Sequence, residues 1–114
     1  MKNLNLDFIQ RIKLTDLLSV QEGSLGKTAP FLRVLEKVRF SDAEYAQIVQ
    51  IPIETPRGMM TQFQAPTGVP DFAKKKVNIE DADAKALGDL LNTWDRFSVA
   101  DHAWADPITK QLER

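Results

Sequence analysis

The chain reads as a single α+β domain, mainly helical, with a small antiparallel sheet. Three observations predict it. Apolar residues recur at helical spacing along much of the chain. One stretch breaks that rhythm: Val49, Ile51 and Ile53 alternate with Gln50, Pro52 and Glu54, the pattern of a half-buried strand. The length, 114 residues, suits one core, and 43% hydrophobic with 27% charged residues is globular composition. The expected order is a three-helix unit, a β-hairpin and C-terminal helices, all within residues 1–114.

Leu4, Leu6 and Phe8 alternate, whereas Leu4, Phe8, Ile12 and Thr15 share a helical face. The helical reading is preferred over 4–18, with an extended start allowed. The stretch 20–28, VQEGSLGKT, holds two glycines and reads as a loop. Thr28 is the expected N-cap of a second helix, with Pro30 in its first turn, where a missing N–H costs nothing. Phe31, Leu35 and Val38 form its inward stripe, and Phe40 ends it. Ser41 and Glu44 then make a capping box, each side chain serving a backbone N–H at the start of a third helix. Tyr45, Ile48 and Val49 are its expected inward side. The strand at 49–54 carries Pro52, which cannot donate to a ladder, so it reads as an edge. After the turn TPRG, Met59, Thr61 and Phe63 continue as a partner strand.

The stretch 65–76, APTGVPDFAKKK, reads as an irregular loop and KVNI as a brief third strand. Asp81 or Asp83 caps the next helix, whose Ala84, Leu87, Leu91 and Trp94 face inward. Ser98 and Asp101 resemble a second capping box. The last helical turns are expected to break near Pro107. The predicted core is Phe8, Ile12, Leu17, Phe31, Leu35, Val38, Tyr45, Ile48, Ile51, Leu87, Leu91 and Trp94.

Chemistry is sparse. There is no cysteine, which removes thiolate chemistry and Cys-based zinc sites. The one histidine, His102, lies in DHAWAD without a second histidine at metal-binding spacing, and it reads as a surface or half-buried residue near a helix start, dispensable for chemistry. Asp81, Asp83 and Asp89 do not make a calcium loop, because Ala86 and Asn92 stand where Gly and Glu are required. GSLGKT, residues 23–28, has only Ser24 and Leu25 between its glycines, too few for a phosphate-binding loop. No cofactor is expected, and no enzymatic activity. The N-terminus is broken by Asp7 and Arg11 and lacks the apolar centre of a signal peptide. No stretch reaches the roughly 18 apolar residues of a membrane span. A cytoplasmic protein without a membrane partner is the expectation.

Net charge is −1, but residues 1–40 hold seven Lys/Arg against four Asp/Glu, and residues 81–114 hold four against seven. Pairing of the two ends within the fold is the simplest account. Head-to-tail self-association is the other.

Residues 17–45 resemble a group of small uncharacterised proteins from bacteria and their phages. The resemblance is carried by Leu17, Leu18, Glu22, Gly23, Thr28, Leu32, Leu35, Phe40, Ser41 and Glu44; Val20 stands where the group has proline. It implies the helical layout and a bacterial or phage origin, and no activity.

Two functional expectations follow. The first is a non-catalytic protein–protein interaction or assembly module, with a homodimer as one form of it. Its surface would be built from apolar residues that the core does not claim: Met59, Met60, Phe63, Val69, Phe72 and Trp104. The second is a helix-turn-helix or winged-helix relative that binds nucleic acid. It would use Lys27, Arg33, Lys37, Arg39 and Arg57, with Lys74, Lys75 and Lys76 as a second grip. The helix that would read DNA carries Asp42 and Glu44 and no Lys or Arg. The first expectation is therefore preferred.

Overall fold

A computed structural model describes residues 1–113. Its elements are β1 (Lys2–Leu6), α1 (Phe8–Ser19), α2 (Leu25–Val38), α3 (Asp42–Gln47), β2 (Val49–Thr55), β3 (Gly58–Gln64), α4 (Pro70–Ala73), β4 (Lys75–Ile79), α5 (Asp81–Thr93) and α6 (His102–Leu112). The fold is α+β and mainly helical. No helix among the described residues is long and apolar enough to cross a membrane.

The strands form two separate antiparallel pairs, β1 with β4 and β2 with β3. In the first pair Leu4 lies opposite Val77. Leu4, Leu6, Val77 and Ile79 point inward and are buried. Helices cover that face. Leu14, Leu17 and Leu18 of α1, Val34 and Val38 of α2, Leu87 and Leu91 of α5 and Ile108 of α6 complete one cluster with the sheet. A smaller cluster of Phe8, Ile48 and Phe72 lies beside it, with Ile12, Phe40 and Val69 packed against it. Phe8, Phe40 and Phe72 meet with ring centroids 5.4 to 6.1 Å apart.

Several boundaries differ from the sequence reading. The N-terminus is a strand followed by a helix, not one helix over 4–18. Asp7 is the hinge between them: it caps α1 in a reciprocal box with Gln10. The alternating and helical patterns were both real, and they were consecutive. Ser24, not Thr28, caps α2. Thr28 lies one turn inside and turns its hydroxyl back to the Ser24 carbonyl. Pro30 and Pro107 both lie inside helices, so α6 runs through Pro107 instead of breaking there. Part of the expected loop 65–76 folds as the short α4. Asp81 and Asp83 lie in the first turn of α5, where Glu80 is the cap residue. The Ser41–Glu44 capping box is present.

Six predicted core residues are less buried than expected. Tyr45 is 51% exposed, because α3 is too short to be clasped between layers. Ile51 is half-exposed on a strand that nothing covers. Ile12, Phe31, Leu35 and Trp94 are partly buried against the two clusters. Ile48 is buried as expected, beside Phe8 in the smaller cluster.

Two ion pairs join the first forty residues to the acidic C-terminal part of the chain. Arg33 of α2 grips Asp83 of α5 through Nε and Nη2, at 2.8 to 3.2 Å. The N-terminal amine meets Asp81 at 2.7 Å.

Candidate functional site

The hairpin β2–β3 stands out from the body. Its register pairs Thr55 with Gly58, Ile53 with Met60, Pro52 with Thr61 and Gln50 with Phe63. The turn is Pro56-Arg57, and Gly58 takes a φ of +107°, which the missing side chain makes cheap. Residues opposite one another share a face. One face therefore shows Val49, Ile51, Ile53, Met60 and Gln62. The other shows Gln50, Pro52, Glu54, Met59, Thr61 and Phe63. Neither face is covered. Every residue of β3 is exposed, Met59 at 68% and Met60 at 58%.

A two-residue turn makes its flanking pair hydrogen-bonded, and bonded and non-bonded pairs then alternate along the ladder. Thr55, Ile53, Ile51 and Val49 bond inward. Gln50, Pro52 and Glu54 of β2, and Met59, Thr61 and Phe63 of β3, turn their backbone groups outward. Pro52 thus sits where its missing N–H leaves the hairpin's own ladder whole and blocks the outer edge of β2. The outer edge of β3, GMMTQFQ, has no proline and no charged residue. It is the kind of edge that pairs with another strand.

A groove of about 150 Å³ opens where the hairpin meets the body, lined by Ile12, Thr15, Asp16, Phe40, Tyr45, Ile48 and Phe63. Phe63 and Tyr45 meet in its wall, with ring centroids 6.5 Å apart. The Thr15 hydroxyl oxygen in its wall is buried and has no hydrogen-bond partner among the described residues. Asp16 is the exposed anion at its rim.

The groove wall is fixed by a residue that sequence reasoning missed. Arg11 is buried, with its side chain 1% exposed. Its Nη1 and Nη2 donate to the two Glu44 carboxylate oxygens at 2.8 and 3.1 Å. Its Nε and Nη2 donate to the carbonyls of Val38 and Arg39. The guanidinium lies 4.2 Å from the Phe40 ring centroid. One side chain thus ties α1 to the end of α2 and the start of α3. The bond from Arg11 holds the Glu44 carboxyl down to about 2; the Ser41 backbone N–H adds to this, against partial burial. A signal existed: Arg11 lies three and seven residues before Leu14 and Leu18, on the inward stripe of α1.

The expected interaction residues divide. Met59, Met60 and Phe63 are exposed on the hairpin, as required. Phe72 and Trp104 are corrections: they are 1% and 7% exposed and belong to the two cores. Trp104 meets Phe97 edge-on and donates its indole N–H to Asp101 at 3.0 Å. That bond, with the Ser98 backbone N–H, lowers the Asp101 pKa. Val69 is half-buried in the smaller cluster. The polar neighbours of Trp104 in sequence concealed this, because its partners come from elsewhere in the chain.

The basic residues do not form one patch. Arg33 is committed to Asp83, and Lys37 donates to the Asn78 carbonyl at 2.7 Å. Lys37 and Lys76 are brought to one shallow depression. Lys27, Arg39 and Lys74 are exposed, Lys75 is half-buried, and Arg57 stands at the hairpin tip. The charge of α3 is acidic at its start, with Asp42 and Glu44. His102 is exposed, with Nδ1 3.4 Å from Asp106. No group of three or more His, Asp or Glu among the described residues is arranged to hold a metal ion.

The chain matches no family model, no curated protein and no solved structure.

Proposed function

We propose that this chain is a non-catalytic protein–protein interaction module, and that the β2–β3 hairpin, with the groove at its base, is its docking element. The supporting observation is a hairpin exposed on both faces that carries Met59, Met60, Ile53 and Phe63 into solvent. An isolated two-stranded hairpin is marginal in water, and apolar side chains on both faces gain their burial only from a second surface. Methionine suits such a surface, since its flexible thioether adapts to the shape it meets. The base is anchored by the Arg11–Glu44 pair, so the element is presented from a fixed root.

The test is a photo-crosslinking side chain placed at Met59 in cells that make the protein, with the same group at exposed Lys85 as the control. The expected result is a discrete protein adduct from position 59 and none from 85. Adducts to nucleic acid, or no adduct from position 59, contradict the reading.

A further inference from the structure

We propose that the occupant of the docking element is a second copy of this chain, joined by antiparallel pairing of the two β3 strands about a two-fold axis through Thr61. This rests on the reading of the hairpin as a docking element and names its partner.

The outward backbone groups of β3 select the register. Met59, Thr61 and Phe63 are the residues with free outer N–H and C=O groups, by the alternation of the ladder. An axis at Thr61 uses all of them. Thr61 pairs with the partner subunit's Thr61, and Met59 with the partner subunit's Phe63. The axis repeats that second pairing. No like charges meet, because GMMTQFQ carries none. The product is a four-stranded sheet whose outer strands are the two β2 strands. Each presents Pro52 outward, so growth stops at the dimer. A heterologous strand on the same edge would not need that closure.

The same register makes the tip of one hairpin meet the base of the other, and the two are complementary. Met59 comes directly opposite the partner subunit's Phe63, on the face where Phe63 lines the groove. A methionine side chain at that position enters an apolar groove walled by Ile12, Phe40, Tyr45 and Ile48, with sulfur against aromatic rings. Met59, 68% exposed in one copy, is covered twice in the pair. Two residues further towards the turn, Arg57 reaches the base of the partner hairpin, where Asp16 is the exposed anion of the groove rim. The cation is at the tip and the anion at the root, which is the arrangement an antiparallel two-fold needs.

Strand pairing plus one side chain per groove is smaller than the roughly 800 Å² per partner of a tight interface. The association therefore belongs to the weak, concentration-dependent class. Sedimentation equilibrium on the full chain, from ~1 µM to ~1 mM, measures it. The expected result is a monomer–dimer equilibrium with no larger species. Thr61→Pro removes the central N–H pair without touching the hairpin's own ladder, and it weakens the dimer about thirtyfold, the loss of two hydrogen bonds. Arg57→Glu weakens it less, and Arg57→Glu with Asp16→Arg in the same chain restores it. That rescue does not depend on the proline variant folding. A wild-type chain that stays monomeric to ~1 mM overturns the proposal, as does a dimer that neither Thr61→Pro nor Arg57→Glu weakens. A chain that stays monomeric but gives a discrete adduct with a different protein from position 59 ends the self-pairing and leaves the docking reading standing. A chain that gives no protein adduct ends both.

Discussion

The two strand pairs of this molecule have similar size and opposite fates. In β1–β4 each strand shows the alternation of a half-buried sheet, and its inner face lies under α1, α2, α5 and α6. Its edges are also served. The Asn5 backbone N–H donates to Gln111 Oε1 at 2.6 Å and its carbonyl accepts from Gln111 Nε2 at 3.0 Å, so α6 closes the outer edge of β1. Lys37 of α2 donates to the Asn78 carbonyl on β4. In β2–β3 no helix covers either face. Among the described residues no side chain from the body bonds to its outer edges. Pro52 blocks one edge, and the other is bare. The difference teaches that strand pairing by itself does not make a sheet part of a core; a covering layer does. A pair left without that layer keeps its apolar side chains in solvent.

The two sheets should differ most in their response to substitution of an apolar residue. Leu4→Ala, at a fully buried position between sheet and helices, should cost about 3 kcal/mol in chemical denaturation. Ile53→Thr or Met60→Thr on the hairpin should change stability by no more than ~0.5 kcal/mol at a concentration where the chain is monomeric. A hairpin variant as costly as Leu4→Ala would mean that the hairpin belongs to the core after all.

Next in size is the anchor between the two regions. Glu44→Gln strands the buried Arg11 guanidinium without its carboxylate and should cost about 3 kcal/mol. It should also loosen the start of α3 and hence the root of β2. The linked pH effect has a definite sign. Glu44 titrates near 4.3 in an unfolded chain and is held down to about 2 in the fold. Its contribution is complete above the unfolded value and is lost as pH falls through the folded one. Asp83, lowered by its bond from Arg33, acts in the same direction. Thermal unfolding should therefore shift downward between about pH 5 and pH 2, and Glu44→Gln should flatten part of that slope. A pH profile identical in the variant and the parent would show that the pair is not the source.

The smallest expected effect is at His102. It is exposed on the first turn of α6, with Asp106 as its side-chain contact. His102→Gln should leave stability within ~0.5 kcal/mol and the dimer constant unchanged, measured by denaturation and sedimentation together.

Much of this contrast was legible in the sequence. The alternation in 49–54, the turn at TPRG and the proline on an edge strand were readable because each depends on neighbours in the chain. The Ser41–Glu44 box was readable for the same reason. The β1–β4 sheet was half hidden. Five residues of alternation run straight into a helix, and only their pairing with residues Lys75 to Ile79, far along the chain, decides for a strand. Long-range partners also account for the reassigned residues. Trp104 and Phe72 look unclaimed until Phe97, Phe8 and Phe40 arrive beside them. Arg11 looks like a solvated cation until the carbonyls at the end of α2 and the Glu44 carboxylate surround it. Met59 and Met60 find no cover within the fold and stay exposed.

The claim that the hairpin's open edge is completed by a second copy is tested most directly by residue-resolved amide hydrogen exchange at two protein concentrations. In dilute protein the amides of Met59, Thr61 and Phe63 should exchange fast, while those buried in β1–β4 exchange only through global unfolding. At ~1 mM the same three amides should gain protection. The outward N–H groups of Gln50 and Glu54 on the Pro52 edge should stay fast, and the β1–β4 amides should not respond. Protection at 59, 61 and 63 that is unchanged by concentration, or that rises equally on both edges of the hairpin, would contradict the account.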